Sequence, residues 1–147
     1  MEPIHNEIGL PAGPLLWYNV TGTHIPVLLR RDALDPKTFA RQIVDWLADK
    51  QAEDIILLDV HEVSILADYF VLCSGTSERQ LDALIQEVRQ QAREAGARLL
   101  HWEGEPHTGW ILLDYGDVVV HLFSPELRAY YRLEELWKDS NILMRMA

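Results

Sequence analysis

The chain of 147 residues has one cysteine, and no apolar run in it approaches the roughly 18 residues of a membrane-spanning helix. Because Cys73 has no second cysteine to pair with, an internal disulfide is excluded and a reducing compartment is expected. The first residues lack the basic region and apolar core of a signal peptide, and acids precede the first arginine, Arg30, unlike in a transit peptide. A hydrophobic content of 48% and a mean hydropathy of -0.08 indicate one globular domain, which we expect in the cytoplasm.

Lysine and arginine are absent from two long stretches of the chain, residues 51–78 and 99–127. The second stretch contains five acids, which are Glu103, Glu105, Asp114, Asp117 and Glu126. A net charge of -10 and a pI near 4.9 oppose direct binding to a nucleic-acid backbone, which requires a basic footprint. An acidic, base-free surface attracts basic partners, although improved solubility is a simpler explanation of the charge.

A β-hairpin is predicted around Gly116 and Asp117, because apolar runs flank this pair and glycine supplies the positive φ of a two-residue turn. With these residues at the centre of the turn, Tyr115 pairs with Val118, and directly opposed residues share a face. One face, a core face, then consists of Ile111, Leu113, Tyr115, Val118, Val120 and Leu122. The other, which we call the mixed face, consists of Trp110, Leu112, Asp114, Val119, His121 and Phe123. Because the mixed face combines aromatic, acidic and imidazole groups, we expect function to reside there.

Apolar stripes, capping residues and short apolar runs predict the other elements of the chain. The predicted helices are residues 36 to about 50 behind the N-cap Asp35, a helix between the capping-box residue Ser77 and Gly96, and a helix from Pro125 to Trp137. The predicted strands are residues 54–60, 69–74, 98–102 and the two arms of the hairpin within 109–123, and residues 61–68 are a bent strand extension or a loop. The order α-β-β-α-β-β-β-α predicts an α/β (α+β-like) fold in which helices pack on a mixed sheet of about five strands.

Three segments are predicted from these patterns. Glycine and proline punctuate residues 1–34, which form an N-terminal extension of unknown role with one candidate strand near residues 24–29. Residues 35–139 form the main domain, and residues 140–147 form a C-terminal tail.

Three runs of the main domain carry a resemblance to a known family. They read ADYFVLCSGTSERQ, WEGEPHTGWILLDYGDVVVHLF and RAYYRLEELW, and their order is too specific to arise easily by chance. Residues 35–139 resemble the ribosomal silencing factor family, also called the RsfS or Iojap-like family. The resemblance implies a mixed-sheet fold related to nucleotidyltransferases and a homodimer when the protein is free. It also implies a non-catalytic regulator that binds large-subunit ribosomal protein fourteen, blocks joining of the ribosomal subunits, and so represses translation when nutrients are scarce.

The family resemblance places the partner surface on the mixed face. The family's binding tryptophan and the apolar residue two positions later correspond to Trp110 and Leu112, which we expect to form a desolvated centre. Asp114, Asp117 and Glu103 are expected to be rim charges that aid encounter with a basic protein. His121 completes the predicted partner-binding set, although a structural hydrogen bond is its simpler use. The alternative for Trp110 is a core position under a covering helix.

A nucleotidyltransferase-like enzyme or nucleotide-binding protein is the alternative function. Its support is the small-residue turn Gly75-Thr76-Ser77 between a strand and a helix, where backbone N–H groups could hold phosphates. Against it, Asp114 and Asp117 lie on either side of a tight turn, whereas two metal ligands on one strand face would be two residues apart. We therefore predict no catalytic residues and no cofactor, and we interpret Thr76 and Ser77 as helix caps.

The histidines and the cysteine show no recognisable metal-ligand spacing, so no metal site is predicted. Cys73 lies in an apolar strand and is predicted to be a small core residue. Tyr130, Tyr131 and Trp137 share helical spacing and are interpreted mainly as core, with an interface as their alternative use.

Overall fold

The structure, a computed structural model, describes residues 15–20, 23–28, 35–132, 135, 138 and 140–147. Its helices are α1 (Pro36–Asp49), α2 (Glu78–Glu94) and α3 (Pro125–Tyr131), with a short 3₁₀ turn at Pro106–Thr108. Its strands are β1 (Leu15–Val20), β2 (Thr23–Leu28), β3 (Glu53–Asp59), β4 (Tyr69–Ser74), β5 (His101–Glu103), β6 (Trp110–Asp114), β7 (Val118–Phe123) and β8 (Asn141–Met146). The predicted order of elements is confirmed from α1 to α3.

The main sheet is mixed and has the strand order β5-β6-β7-β4-β3-β8. β4 and β7 are parallel, as the crossover through α2 permits, and the other neighbours are antiparallel. The predicted fold class is confirmed, but the sheet has six strands rather than about five. The additional strand, β8, comes from the segment predicted to be a C-terminal tail and pairs with the edge of β3. β1 and β2 pair separately as an antiparallel hairpin, and β2 is the strand expected near residues 24–29.

The helices begin where their capping residues predict. The Asp35 carboxylate accepts a hydrogen bond from the Thr38 N–H at 3.1 Å, and the Ser77 hydroxyl accepts one from the Gln80 N–H at 3.0 Å. The Gln80 side chain in turn accepts a hydrogen bond from the Thr76 N–H at 2.7 Å. In a regular capping box the donor would be the N–H of the next residue, Ser77. The hydrogen-bonding groups of Thr76 and Ser77 are thus used to cap α2.

Three local predictions require correction or completion. β5 is residues 101–103, shorter and later than the predicted strand, and the segment between β3 and β4 is a loop. α3 ends at Tyr131, where Arg132 adopts a φ of 45°. The predicted continuation of this helix to residue 137 falls mostly outside the described residues.

The sheet has two apolar faces, each with its own cluster of buried side chains. α1 and α2 cover one of them, which we call the helical face, and pack on alternate residues of β3, β4, β6 and β7. Cys73 is fully buried in that cluster, and burial raises the pKa of its thiol to about 12, so its prediction as a core residue is confirmed. Within the described parts of the chain, none of the helices has the length and apolar character required to cross a membrane.

Candidate functional site

The hairpin of β6 and β7 has the predicted register. The Tyr115 N–H donates to the Val118 carbonyl at 2.9 Å, and Gly116 adopts a φ of 92° in the turn. Outward from the turn, the pairs on the mixed face are Asp114 with Val119, Leu112 with His121, and Trp110 with Phe123. Because side chains alternate along a strand, this register places all six residues of the predicted mixed face on one side of the sheet, opposite α1 and α2.

A row of side chains across the sheet connects the mixed face to the core. Glu103 of β5 pairs with Leu112, which pairs with His121, which pairs with Leu72 of β4. Leu72 is fully buried, His121 is 5% exposed, Leu112 is half-buried and Glu103 is exposed. The row therefore changes from core to solvent-exposed surface towards the β5 edge, and Glu103 lies on the same face as Leu112.

Trp110 is the centre of a group of rings that we call the aromatic cluster. Its ring centroid lies 5.1 Å from that of Phe123 and 4.7 Å from that of Tyr131 on α3. Phe123 is fully buried, Trp110 is half-buried and Tyr131 is 43% exposed, so one edge of the cluster faces solvent. Tyr130, which packs edge-on against Tyr131 at 5.0 Å, is 76% exposed. The core interpretation is therefore wrong for these two tyrosines.

His121 joins the aromatic cluster to the rest of the mixed face through one hydrogen bond. Trp110 Nε1 donates to His121 Nδ1 at 3.2 Å, so Nδ1 carries a lone pair and the ring proton is on Nε2. Burial disfavours the charged imidazolium and lowers the pKa of His121 from 6.5 to about 4, so the ring is neutral near pH 7. The ring of Phe70 packs edge-on against it at 5.1 Å. The predicted structural hydrogen bond of His121 is confirmed.

The three predicted acids surround the mixed face without converging on one point. Asp114 uses its carboxylate to accept a hydrogen bond from the Gly116 N–H at 2.7 Å, which closes the turn. Asp117 is exposed in the turn, and Glu103 lies 2.8 Å from the His101 ring nitrogen. Across the described ranges, no three histidine, cysteine or acidic side chains are grouped as ligands for a metal ion.

Arg128 is a contributor to the site that the sequence patterns missed. It is only 6% exposed, and its guanidinium donates to the Asp54 carbonyl and, at 3.1 Å, to the Ser74 hydroxyl. One guanidinium nitrogen also lies 3.7 Å from the Asp54 carboxylate. These bonds tie α3 to the ends of β3 and β4, and so hold Tyr131, one turn further along α3, beside Trp110. The arginine that opens the run RAYYRLEELW is the signal that could have identified this residue.

Comparisons with known proteins agree on one family. The family profile described as "Ribosomal silencing factor during starvation" matches residues 33–146. Ribosomal silencing factor RsfS of Bacillus subtilis is 47% identical over 92 residues, which are 63% of this chain and 78% of the relative. A mouse protein named mitochondrial assembly of ribosomal large subunit protein 1 is 33% identical over 109 residues, which are 72% of this chain and 48% of that protein.

Solved structures have the same fold. A crystal structure of a Chromobacterium violaceum protein superposes with a TM-score of 0.69 at 34% identity, covering 71% of this chain and 88% of the other. A Bacillus halodurans crystal structure gives a TM-score of 0.62 at 39% identity, covering 69% of this chain and 94% of that one. The profile match spans most of the chain, including β8. The chain therefore belongs to the ribosomal silencing factor family.

Proposed function

We propose that this protein binds the large ribosomal subunit through ribosomal protein fourteen and so prevents joining of the two subunits, which represses translation when nutrients are scarce. Family membership supports a role at the ribosome, and the observation that carries the proposal is the aromatic cluster around Trp110. A half-buried tryptophan with an exposed tyrosine beside it is typical of an interface hot spot. The hairpin lies within residues 99–127, which contain no lysine or arginine, and this suits a basic ribosomal protein as partner.

The mechanism in this proposal is steric. Trp110 and Leu112 would lose their remaining exposure against the partner and supply most of the binding free energy. Asp117 and Glu103, whose carboxylates stay in solvent at the rim, would speed encounter and fix the orientation of the complex. Asp114 would contribute through the shape of the turn, since its carboxylate is hydrogen-bonded to the Gly116 N–H.

In this proposal the protein acts without catalysis and without a cofactor. The side chains that a nucleotidyltransferase would need are used structurally. Ser77 caps α2, and the Thr76 N–H is bonded to the Gln80 side chain. Asp114 closes the hairpin turn. Magnesium-dependent turnover of a nucleoside triphosphate would support the enzymatic alternative instead.

The test is binding to isolated ribosomal protein fourteen, measured by calorimetry for Trp110→Ala and Trp102→Ala. Trp102 is a matched control, because it is 39% exposed and lies on β5 opposite Leu113, whose side chain is on the helical face. Loss of a hot-spot tryptophan costs at least about 2 kcal/mol, so we expect affinity to fall about 30-fold or more for Trp110→Ala. We expect less than about a twofold change in affinity for Trp102→Ala. In sucrose gradients, wild type and Trp102→Ala should block joining of the subunits, whereas Trp110→Ala should allow it.

Folding must be separated from binding, because Trp110 also packs on Phe123. Circular dichroism and thermal unfolding of each variant provide that control, and Leu112→Lys adds a second test on a half-buried side chain. Normal folding of Trp110→Ala together with unchanged affinity for ribosomal protein fourteen would exclude this surface.

We further propose that the free protein is a cytoplasmic homodimer. An edge strand such as β8 presents unpaired backbone groups on one side, and Ile142 and Met146 on it are exposed. Sedimentation equilibrium over a range of concentrations measures the dimer directly. A monomer at all concentrations would contradict this part of the proposal.

A further inference from the structure

A cavity on the helical side of the sheet combines three arginines with a tyrosine. It has a volume of about 300 Å³, at the lower end of the range for ligand pockets, and lies between the C-terminal half of α2 and the start of the hairpin turn. It is lined by Arg89, Arg93, Ala97, Arg98, Leu99 and Tyr115. These arginines stand out in a chain that carries 13 lysines and arginines against 23 acids.

Among residues 35–132, no acidic side chain neutralises the three guanidinium groups. Within residues 35–132 none of them lies within ion-pair distance of a carboxylate, and none makes a side-chain hydrogen bond to another described residue. By contrast, Lys50 lies 3.9 Å from Glu87, which precedes Arg89 by two residues on α2. Arg93 also interacts favourably with the C-terminal end of the α2 dipole, which accounts for one of the three positions.

Two contacts hold the cavity in shape before any ligand arrives. The Arg89 guanidinium carbon lies 4.4 Å from the ring centroid of Trp102 on β5, a cation–π contact that restrains the side chain. The ring of Tyr115 packs edge-on against Phe39 at 5.3 Å, and its shielded hydroxyl has no hydrogen-bond partner among the described residues. Burial raises the pKa of Tyr115 to about 12, with Arg89 and Arg93 opposing the rise, so the hydroxyl keeps its proton near neutral pH.

We propose that this cavity binds a phosphate group. Guanidinium groups match the oxygens of phosphate with paired N–H donors, and all three arginines line this one cavity. An anion would also relieve the repulsion among three cations that share one cavity. The phosphate comes either from the backbone of ribosomal RNA or from a soluble nucleotide. This site lies on the helical side of the sheet and goes beyond the proposed function, which uses the mixed face.

The experiment compares two variants that change the net charge equally. Arg93→Gln/Arg98→Gln removes two exposed cations from the cavity, while Arg41→Gln/Arg79→Gln removes two exposed cations from α1 and the start of α2. Binding to a short fluorescent RNA duplex is followed by anisotropy over a range of salt concentrations. Binding to inorganic pyrophosphate and to a nucleoside triphosphate is followed by calorimetry. Circular dichroism confirms that each variant is folded.

If RNA is the source of the phosphate, Arg93→Gln/Arg98→Gln weakens RNA binding about tenfold or more at low salt. The same variant lowers the slope of log affinity against log salt concentration by about 1 to 2. The control, Arg41→Gln/Arg79→Gln, stays within about twofold of wild type. If a soluble nucleotide is the source, the two variants bind RNA alike, and only the cavity variant loses pyrophosphate or triphosphate. Equal effects of both double variants on every ligand, or no binding of any ligand by wild type at millimolar concentration, would overturn the proposal. Neither result depends on ribosomal protein fourteen, so this proposal and the proposed function fail independently.

Discussion

Unfolding at low pH tests whether His121 is buried as a neutral imidazole, because protonation of this ring makes the unfolding free energy depend on pH. The pKa of His121 is about 4 in the folded protein and 6.5 as the reference value for an unfolded chain. Since the folded pKa is the lower one, the unfolded state binds the proton first as pH falls. The stabilising contribution is therefore complete above about pH 6.5 and is lost progressively between about pH 6.5 and about pH 4.

The magnitude follows from the two pKa values. At about 1.4 kcal/mol per pH unit, the contribution of His121 is at most about 3 kcal/mol, of which about 2 kcal/mol is lost between about pH 7 and about pH 4.5. Against a typical unfolding free energy of about 5 to 15 kcal/mol, this is a measurable loss. Protonation of the neutral ring near pH 4 would also put charge into the Phe70 and Phe123 surroundings.

The assay is urea unfolding at a series of pH values, followed by tryptophan fluorescence, for wild type and His121→Gln. Glutamine cannot titrate, yet its carbonyl oxygen can accept the hydrogen bond from Trp110 Nε1. The difference in unfolding free energy between the two proteins should change by about 2 kcal/mol across the pH window, since the other titrating groups cancel. Parallel pH dependence of the two proteins, or an NMR titration that places the pKa of His121 near 6.5, would refute this reasoning.

Two further predictions concern the supports of the mixed face. Gly104 has a φ of 84°, and a Cβ there would lie 2.1 Å from the Trp110 carbonyl oxygen. Because of this clash and the strained φ, Gly104→Ala should lower the unfolding free energy, measured in urea, by about 3 kcal/mol or more. Gly96→Ala, at a φ of 85°, serves as the control for φ strain alone and should cost only about 1 kcal/mol. Because Arg128 donates to the Ser74 hydroxyl, a double-mutant cycle of Arg128→Met and Ser74→Ala should give a coupling energy above about 0.5 kcal/mol. A coupling energy near zero would show that the buried guanidinium is held by its other contacts.

The mixed face could be predicted from the sequence because its register depends on neighbours in the chain. A Gly116-Asp117 turn sets the pairing of β6 with β7, and alternation along each strand then sorts the side chains onto two faces. The helix starts were predictable for the same reason, since the caps of α1 and α2 bond to residues three positions away. Partner contact by Trp110, Leu112, Asp114, Asp117, His121 and Glu103 remains a prediction.

Other features depend on residues that are distant in the chain. Arg128 meets Asp54 and Ser74 across separations of 74 and 54 residues, which no periodicity reports. The sequence of β8 gives no strand signal, because this strand lies at the edge of the sheet and pairs with one neighbour only, β3. The same limit applies to Tyr130 and Tyr131, whose helical spacing does not reveal that the sheet leaves them exposed.

The sequence by itself therefore determined the hairpin, its two faces and the helix starts, because these follow from alternation and from hydrogen bonds over three or four residues. Only the tertiary structure decided that Trp110 joins Phe123 and Tyr131 at a half-buried surface, and that three arginines meet Tyr115 in one cavity. The physical reason is that exposure and charge clustering are set by which elements cover one another, and that depends on contacts between distant parts of the chain.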